Sequence, residues 1–317
     1  MPFRCGLLGT ITSDTIEADD GRTRQSIGGI LYQAAALCGL GVPSVLFSNC
    51  GEFLRPDVEA IVGEWPILDC GGLKFVPGPG NRVRLRYSDQ FREREEVLES
   101  AVPPLDPGPV LNSLEGLDFL FLVFNSGFDI SLADWRNIAG RARCPIWIDI
   151  HSLALTPGVG VRRAYRAVPE WREWVKGAAF LQANRQEVAC LMGHPERWAD
   201  ESEIKTLAAQ AFDLGLRAIF MTMGKEGVLA ATPGRIFLIP APVADAVVDT
   251  TGCGDVFAAA SAAGLLQGFP VARAASAGVE LATRAVSVSG LRETYRLASR
   301  AMTDDFFRRF GGKDGSS

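Results

Sequence analysis

Only two histidines, His151 and His194, occur in 317 residues. A histidine-ligated metal site or a Ser-His-Asp triad has almost nothing to be built from. The seven cysteines (Cys5, Cys38, Cys50, Cys70, Cys144, Cys190 and Cys253) are odd in number and scattered, with no two in C-x-x-C spacing. Neither a disulfide framework nor a thiolate zinc site follows, and the default compartment is the reducing cytoplasm. No stretch reaches the roughly 18 apolar residues of a membrane span, and MPFRCGLLGTITSD turns polar after a short apolar run. A basic excess is missing too: the formal charge is −5, which argues against a nucleic-acid partner. There is no internal repeat, no low-complexity segment and no G-x-x-x-x-G-K-[ST], so a P-loop enzyme is excluded.

What is present is 47% hydrophobic and 22% charged residues, enough for one large α/β domain or two small ones with a substantial core. The chain is organised around VVDTTGCGDVFAAASAAGLLQG, residues 247–268. Gly252-Cys253-Gly254-Asp255 opens a small-residue helix whose first amides lack partners inside it, and the glycines let a ligand approach the backbone: an anion cradle. Asp255 is the odd member, because a carboxylate beside phosphate is repelled unless it has work to do, such as taking a proton from an attacking hydroxyl. The plainer alternative is that Asp255 caps the helix and the glycines make a turn. Phe257 stands where a dinucleotide fingerprint needs its third glycine, which argues against that cofactor. A catalytic role for Cys253 finds no nearby histidine to support it.

FRCGLL at 3–8 reads as a buried strand. Asp20-Gly21 marks a hairpin between two polar extended runs, Gly28-Gly29 leads into a helix ending near Gly39 or Gly41, and SVLFSNCG is a strand. NRVRLRY alternates, with Val83, Leu85 and Tyr87 on one face and Arg82, Arg84 and Arg86 on the other, as a half-exposed antiparallel strand does. The segments at about 15–27 and 73–98 are expected to form a small sheet outside the main body. From residue 117 strand and helix alternate: DFLFLVF and a helix from about 131, PIWIDI and a helix at 161–176, AAFLQ and a helix from about 185, helix 200–214, and RAIFMTM. A hairpin follows at 226–239, then helices at 270–288 and 293–310, and a tail at 311–317 expected to be disordered. This rhythm implies a largely parallel sheet covered on both faces, with ligands at the carboxyl ends of its strands. Candidates there are the loop after Gly9, Asn125-Ser126-Gly127, Asp149 with His151, Asn184 to Glu187, and Thr222 to Gly227. Asn184 and Glu187, three apart at a helix start, read either as a capping box or as a pair holding hydrated Mg²⁺.

DTTGCGD at 249–255 resembles the D-T-x-G-A-G-D signature of the ribokinase-like (PfkB) carbohydrate kinase family, with Cys253 at the usual alanine position. Asn184 to Glu187 resembles its N-x-x-E motif, Thr222 to Gly227 its T-x-G-x-x-G segment, and Gly28-Gly29 its N-terminal glycine pair, all in family order. The resemblance implies one three-layer αβα Rossmann-like domain over residues 1–317, with a mostly parallel sheet and a small β-sheet lid. It implies ATP- and Mg²⁺-dependent phosphorylation of a sugar hydroxyl, with Asp255 as base and the amides of Gly252, Cys253 and Gly254 as anion hole. Asp14, Gly28, Gly29 and Gln33 would meet the substrate, and Asn184, Thr222, Gly224 and Gly227 the nucleotide. Glu187 would act on Mg²⁺ through water, and Asp249 and Thr251 lie where some members bind a monovalent cation such as K⁺. Some members dimerise through the lid, so a homodimer is implied as an option. Two departures touch the substrate pocket: Gln33 replaces the family's frequent asparagine, and D-x-N reads Asp149-Ile150-His151. A neutral sugar or a nucleoside is favoured over a phosphosugar, because Val83, Leu85 and Tyr87 seek cover more than the arginines do. A catalytically silent sugar- or nucleotide-binding regulator is the reading from another class.

Overall fold

The computed structural model describes residues 3–17, 21–88 and 93–310, with the side chains of 87, 88, 93 and 94 left aside. Asp20 of the expected turn, the Tyr87 side chain and the 311–317 tail therefore lie outside the described residues. In chain order the elements are β1 (Cys5–Leu8), β2 (Ile11–Glu17), β3 (Thr23–Gly29), α1 (Leu31–Gly39), β4 (Ser44–Gly51), α2 (Arg55–Val62) and β5 (Leu68–Val76). There follow β6 (Asn81–Ser88), β7 (Glu93–Ser100), α3 (Pro107–Ser113), β8 (Phe119–Val123), α4 (Leu132–Arg141), β9 (Ile146–Asp149), α5 (Trp171–Val175), β10 (Phe180–Asn184) and α6 (Arg185–Leu191). The chain closes with α7 (Glu201–Phe212), β11 (Ala218–Thr222), β12 (Val228–Thr232), β13 (Arg235–Ile239), α8 (Cys253–Leu266), α9 (Val271–Ala285) and α10 (Leu291–Thr303).

Strand alternation builds the layers. Along β8, Phe119, Phe121 and Val123 face one apolar cluster and Leu120 and Leu122 the other. The first cluster takes in α1 and α8 to α10, the second α3 to α7, so helices cover both faces of the sheet. Among the described residues that sheet has nine strands in the order β13-β12-β11-β10-β9-β8-β1-β4-β5. It is parallel except for β12 and β13. The order reverses at β1, which pairs with both β4 and β8. A crevice opens at the carboxyl ends of the strands where connections leave in opposite directions.

A second sheet, β3-β2-β6-β7, stands apart. Its small core is Val83, Leu85 and Leu98. Thr10 roots it: its hydroxyl donates to buried Asp129 and accepts from Asn81 Nδ2 at 2.7 Å, while Asn81 Oδ1 takes the Val102 amide. Val83 and Leu85 are covered within the chain.

Two expectations are corrected. Residues 73–76 belong to β5, which pairs in parallel with β4 at the edge of the main sheet, so the small sheet takes only β6 and β7 from that region. The helix expected at 161–176 shrinks to α5. Gly158 and Gly160 take positive φ, Pro169 interrupts, and Arg163 is drawn into a buried ion pair with Glu96 at 3.1 Å, a pull stronger than helix propensity.

Helix α8 sits on an aromatic floor. Trp147 and Phe220 stack at 4.7 Å, and Phe257 of α8 meets both edge-on. Its other flank packs on α9 almost backbone to backbone, for a Cβ at Gly278 would lie 2.1 Å from Ser261 Oγ and 2.7 Å from the Phe257 carbonyl.

Candidate active site

The chain enters α8 through Gly252 in the left-handed region, φ 77°. That conformation suits glycine alone, and a Cβ there would fall 2.3 Å from the Tyr32 ring. The amide of Cys253 donates back to Thr250 O at 3.3 Å, so the amides of Gly252 and Gly254 are the ones chiefly free for a ligand. Asp255 follows in the first turn.

Around this end lies a cavity of about 300 Å³, lined among others by Asp14, Gly29, Thr251, Gly252, Gly254 and Asp255. Val83 and Leu85 of the small sheet form part of its wall. Among the described residues no lysine or arginine lines it. A larger adjoining cavity of about 900 Å³ is lined by Asn184, Thr222 and Gly224 together with Arg185 and Lys225. The two share Glu96, His151, Asn184, Glu187 and Thr222.

Several expected residues do not line either cavity. Gln33 is fully buried in α1; its neighbour Tyr32, a helical step of 100° away, lines the cavity instead. Gly28 lies behind the wall, where a Cβ would meet Asp14 Oδ2 at 3.3 Å. Gly227 has φ 97° and is pressed against the Ile239 carbonyl, a turn position. Cys253 is also absent from the linings, and burial pushes its thiol up to about 12, which makes it inert at neutral pH.

Electrostatics set the protonation states. Burial lifts Asp255 to about 7, opposed by the nearby His151 and by its own backbone amide. Asp149 is pushed well above the usual carboxylate range, by burial first and the Glu187 charge second. At His151 burial opposes the charge but is outweighed by Glu187, Asp149 and Glu96, which raise it to about 9. Its ring is 3.6 Å from Glu187 and keeps 44% of its side-chain surface open to the cavity.

Asn184 and Glu187 form a capping box: Asn184 Oδ1 accepts the amides of Gln186 and Glu187, and Glu187 accepts the Asn184 amide at 2.7 Å. Glu187 Oε1 also takes Asn184 Nδ2. A carboxylate so held fits the orientation of a metal's waters better than direct ligation, and the described residues contain no group of three or more His, Cys, Asp or Glu able to hold a metal ion.

Of three further residues lining the smaller cavity, Asn125 is among the candidates read from the sequence, whereas Tyr32 and Gln182 are not. Tyr32 Oη, Gln182 Oε1 and Asn125 Oδ1 are buried without a hydrogen-bond partner among the described residues, and all three side chains line the smaller cavity. Gln182 Nε2 donates to Asp149 Oδ2 at 2.9 Å and to the Gly254 carbonyl at 3.1 Å, fixing the cradle to β10. An amide inside the apolar run AAFLQAN was the available signal.

Residues 159–296 match the family model of the pfkB family carbohydrate kinase. A curated relative, an uncharacterized sugar kinase of Archaeoglobus fulgidus, is 26% identical over 145 residues, 46% of this chain and 54% of the relative. The chain thus matches about half of that relative's length. Among solved structures, an Arabidopsis thaliana ribokinase complexed with ribose and ATP superposes with a TM-score of 0.75 at 17% identity, covering 95% of this chain and 99% of that one. A Burkholderia thailandensis nucleoside kinase in complex with inosine gives 0.73 at 20% identity, covering 98% and 99%. The resemblance read from DTTGCGD and its companions is therefore shown, in sequence over residues 159–296 and in fold over nearly the whole chain. The sequence match is to the pfkB family carbohydrate kinase model, and the likeness to the solved structures shows the ribokinase fold. No helix among the described residues is long and apolar enough to cross a membrane.

Proposed function

We propose that this chain transfers the γ-phosphoryl group of ATP to a hydroxyl of a small neutral polyol, either a sugar or the ribose of a nucleoside. The observation that carries the reading is Asp255 beside the glycine cradle, held near pKa 7 by burial. A base poised there accepts a proton at neutral pH and is still ionised often enough to act. The acceptor occupies the smaller cavity, with its hydroxyls on Asp14. The amides of Gly252 and Gly254 take charge developing on the transferring group. Nucleotide phosphates extend toward Asn184, Thr222 and Gly224. Glu187 would orient the waters of a nucleotide-bound Mg²⁺, which would supply charge neutralisation of those phosphates.

A neutral acceptor is favoured over a phosphosugar by the linings. The smaller cavity is lined by the carboxyl groups of Asp14, Glu96, Asp149, Glu187 and Asp255 and, His151 apart, by no described cation that could receive a second phosphate. Arg84, the arginine in the middle of the alternating strand, instead pairs with Glu99 at 2.9 Å on the outer face.

The test is ADP formation from Mg-ATP across sugars, polyols, nucleosides and phosphosugars. A neutral acceptor is expected, its kcat/KM falling about 10- to 100-fold in Asp14→Ala, the usual loss for a charged hydrogen bond, and unchanged in Arg84→Ala. A phosphosugar whose turnover collapses in Arg84→Ala would overturn the choice of acceptor. Nucleotide binding without ADP formation from any acceptor would favour the silent regulator. The pH profile is a second check: kcat/KM is expected to rise through about pH 7 as Asp255 of the free protein loses its proton. A profile flat between about pH 5.5 and 8.5 would remove Asp255 as the base.

A further inference from the structure

The loop that precedes the cradle is held by a guanidinium. Arg24 of β3, in the small sheet, reaches Asp249 with Nη2–Oδ2 at 2.6 Å, and its Nη1 donates to Ser289 Oγ at 2.7 Å. Ser289 Oγ in turn donates to the same Asp249 oxygen at 2.7 Å, while Asp249 Oδ1 accepts the Thr251 amide at 3.0 Å. The Asp249 carboxylate is thus paired directly with the Arg24 guanidinium. The amides of Val248 and Asp249 both donate to the Val286 carbonyl, which fixes the backbone on the other side.

A monovalent cation at Asp249 and Thr251 does not fit this arrangement. Such an ion needs an uncompensated anion and free oxygen lone pairs. Here both carboxylate oxygens are engaged, and a bound K⁺ would share a single negative charge with the guanidinium. The Asp249 side chain is only 8% exposed, so solvent screens that repulsion poorly.

We propose that Arg24 is the resident cation of the cradle loop, doing in cis what a monovalent ion would otherwise do, so that the protein is indifferent to K⁺. Arg24 is a positioning residue. It touches neither cavity and acts through Asp249 and Thr251 on the amides of Gly252 and Gly254. Because Arg24 belongs to the small sheet and Asp249 to the main body, the cradle loop takes its cation from the element that walls the acceptor cavity.

The inference is independent of the acceptor, although its rate arm rests on the phosphoryl-transfer reading. Thermal unfolding of wild type, Arg24→Ala and Arg24→Lys is measured in KCl and in tetramethylammonium chloride at equal ionic strength. Wild type and Arg24→Lys are expected to melt alike in both salts. Arg24→Ala is expected to melt lower in tetramethylammonium and to recover part of the loss in KCl, because the uncovered carboxylate then binds the smaller ion. With an acceptor in hand, wild-type kcat should agree within about twofold between salts. Arg24→Ala should lose about tenfold or more, a displaced-donor effect, and regain it with K⁺ or with millimolar ethylguanidinium. Wild type stabilised or activated by K⁺ over tetramethylammonium overturns the proposal. So does an Arg24→Ala variant that matches wild type in melting and rate. If no acceptor is found, the melting arm still decides.

Discussion

Asp255→Asn is expected to lower kcat by about 10²-fold or more, the usual worth of general-base assistance, while nucleotide affinity stays near that of wild type and the melting temperature rises. The rise follows from the same burial that tunes the base. In the unfolded chain this carboxyl ionises near 3.8; in the folded one it holds its proton to about 7. Between those values the unfolded state releases a proton that the folded state keeps, so stability is lost progressively as pH rises, and the whole penalty is in place above about 7. Asparagine does not ionise, caps a helix equally well, and removes the penalty. The variant should therefore gain most over wild type near pH 8 and nothing near pH 3, measured by thermal melting at the two values. Loss of activity together with loss of stability at pH 8 would mean that Asp255 serves the fold rather than the chemistry.

Gly252→Ala should be as damaging to turnover by another route. A side chain at φ 77° costs about 1–2 kcal/mol in backbone strain, and its Cβ would sit 2.3 Å and 2.4 Å from ring atoms of Tyr32. Either the ring or the turn must give. If the turn gives, the Gly252 and Gly254 amides leave the positions that stabilise the transferring group, worth about 10²- to 10³-fold in kcat for a single donor. Because Tyr32 itself lines the cavity, the causes are separated by adding Gly252→Ala to a Tyr32→Ala background: the further loss should be smaller than in wild type, leaving the strain and the contact with the retained Tyr32 Cβ. Near wild-type kcat in the single variant would remove the cradle from the mechanism.

The buried alternating strands from residue 117 onward, the start of α8 and the Asn184–Glu187 spacing were legible because each is set by neighbours within a few residues. Spacing could not decide between capping and metal orientation, since both use the same two side chains at the same positions. The edge strand β5 escaped because CGGLKFV, half-exposed and glycine-broken, carries no buried-strand pattern. Pro169 was visible, yet the pull on Arg163 came from Glu96, 67 residues earlier. The α1 residue that lines the smaller cavity is Tyr32 and not the expected Gln33, because an offset carried from a family pattern does not reveal which way a helix is rotated. Arg24 and Asp249 are 225 residues apart, and only the tertiary fold brings them together. Contacts of that kind leave no local trace in one sequence.

The close seating of α8 on α9 also divides the molecule by how its backbone can breathe. With Gly278 against Ser261 and Phe257 there is no side-chain slack through which α8 could slide, so its amides beyond the first turn are reached by deuterium only through openings close to global unfolding. The small sheet, whose own buried cluster among the described residues is Val83, Leu85 and Leu98, is expected to open at lower cost, so β2, β3, β6 and β7 should exchange first in a deuterium-exchange measurement. The part of the chain that supplies the cavity wall and Arg24 is thus expected to be the looser one, and the amide-bearing end of α8 the firmer.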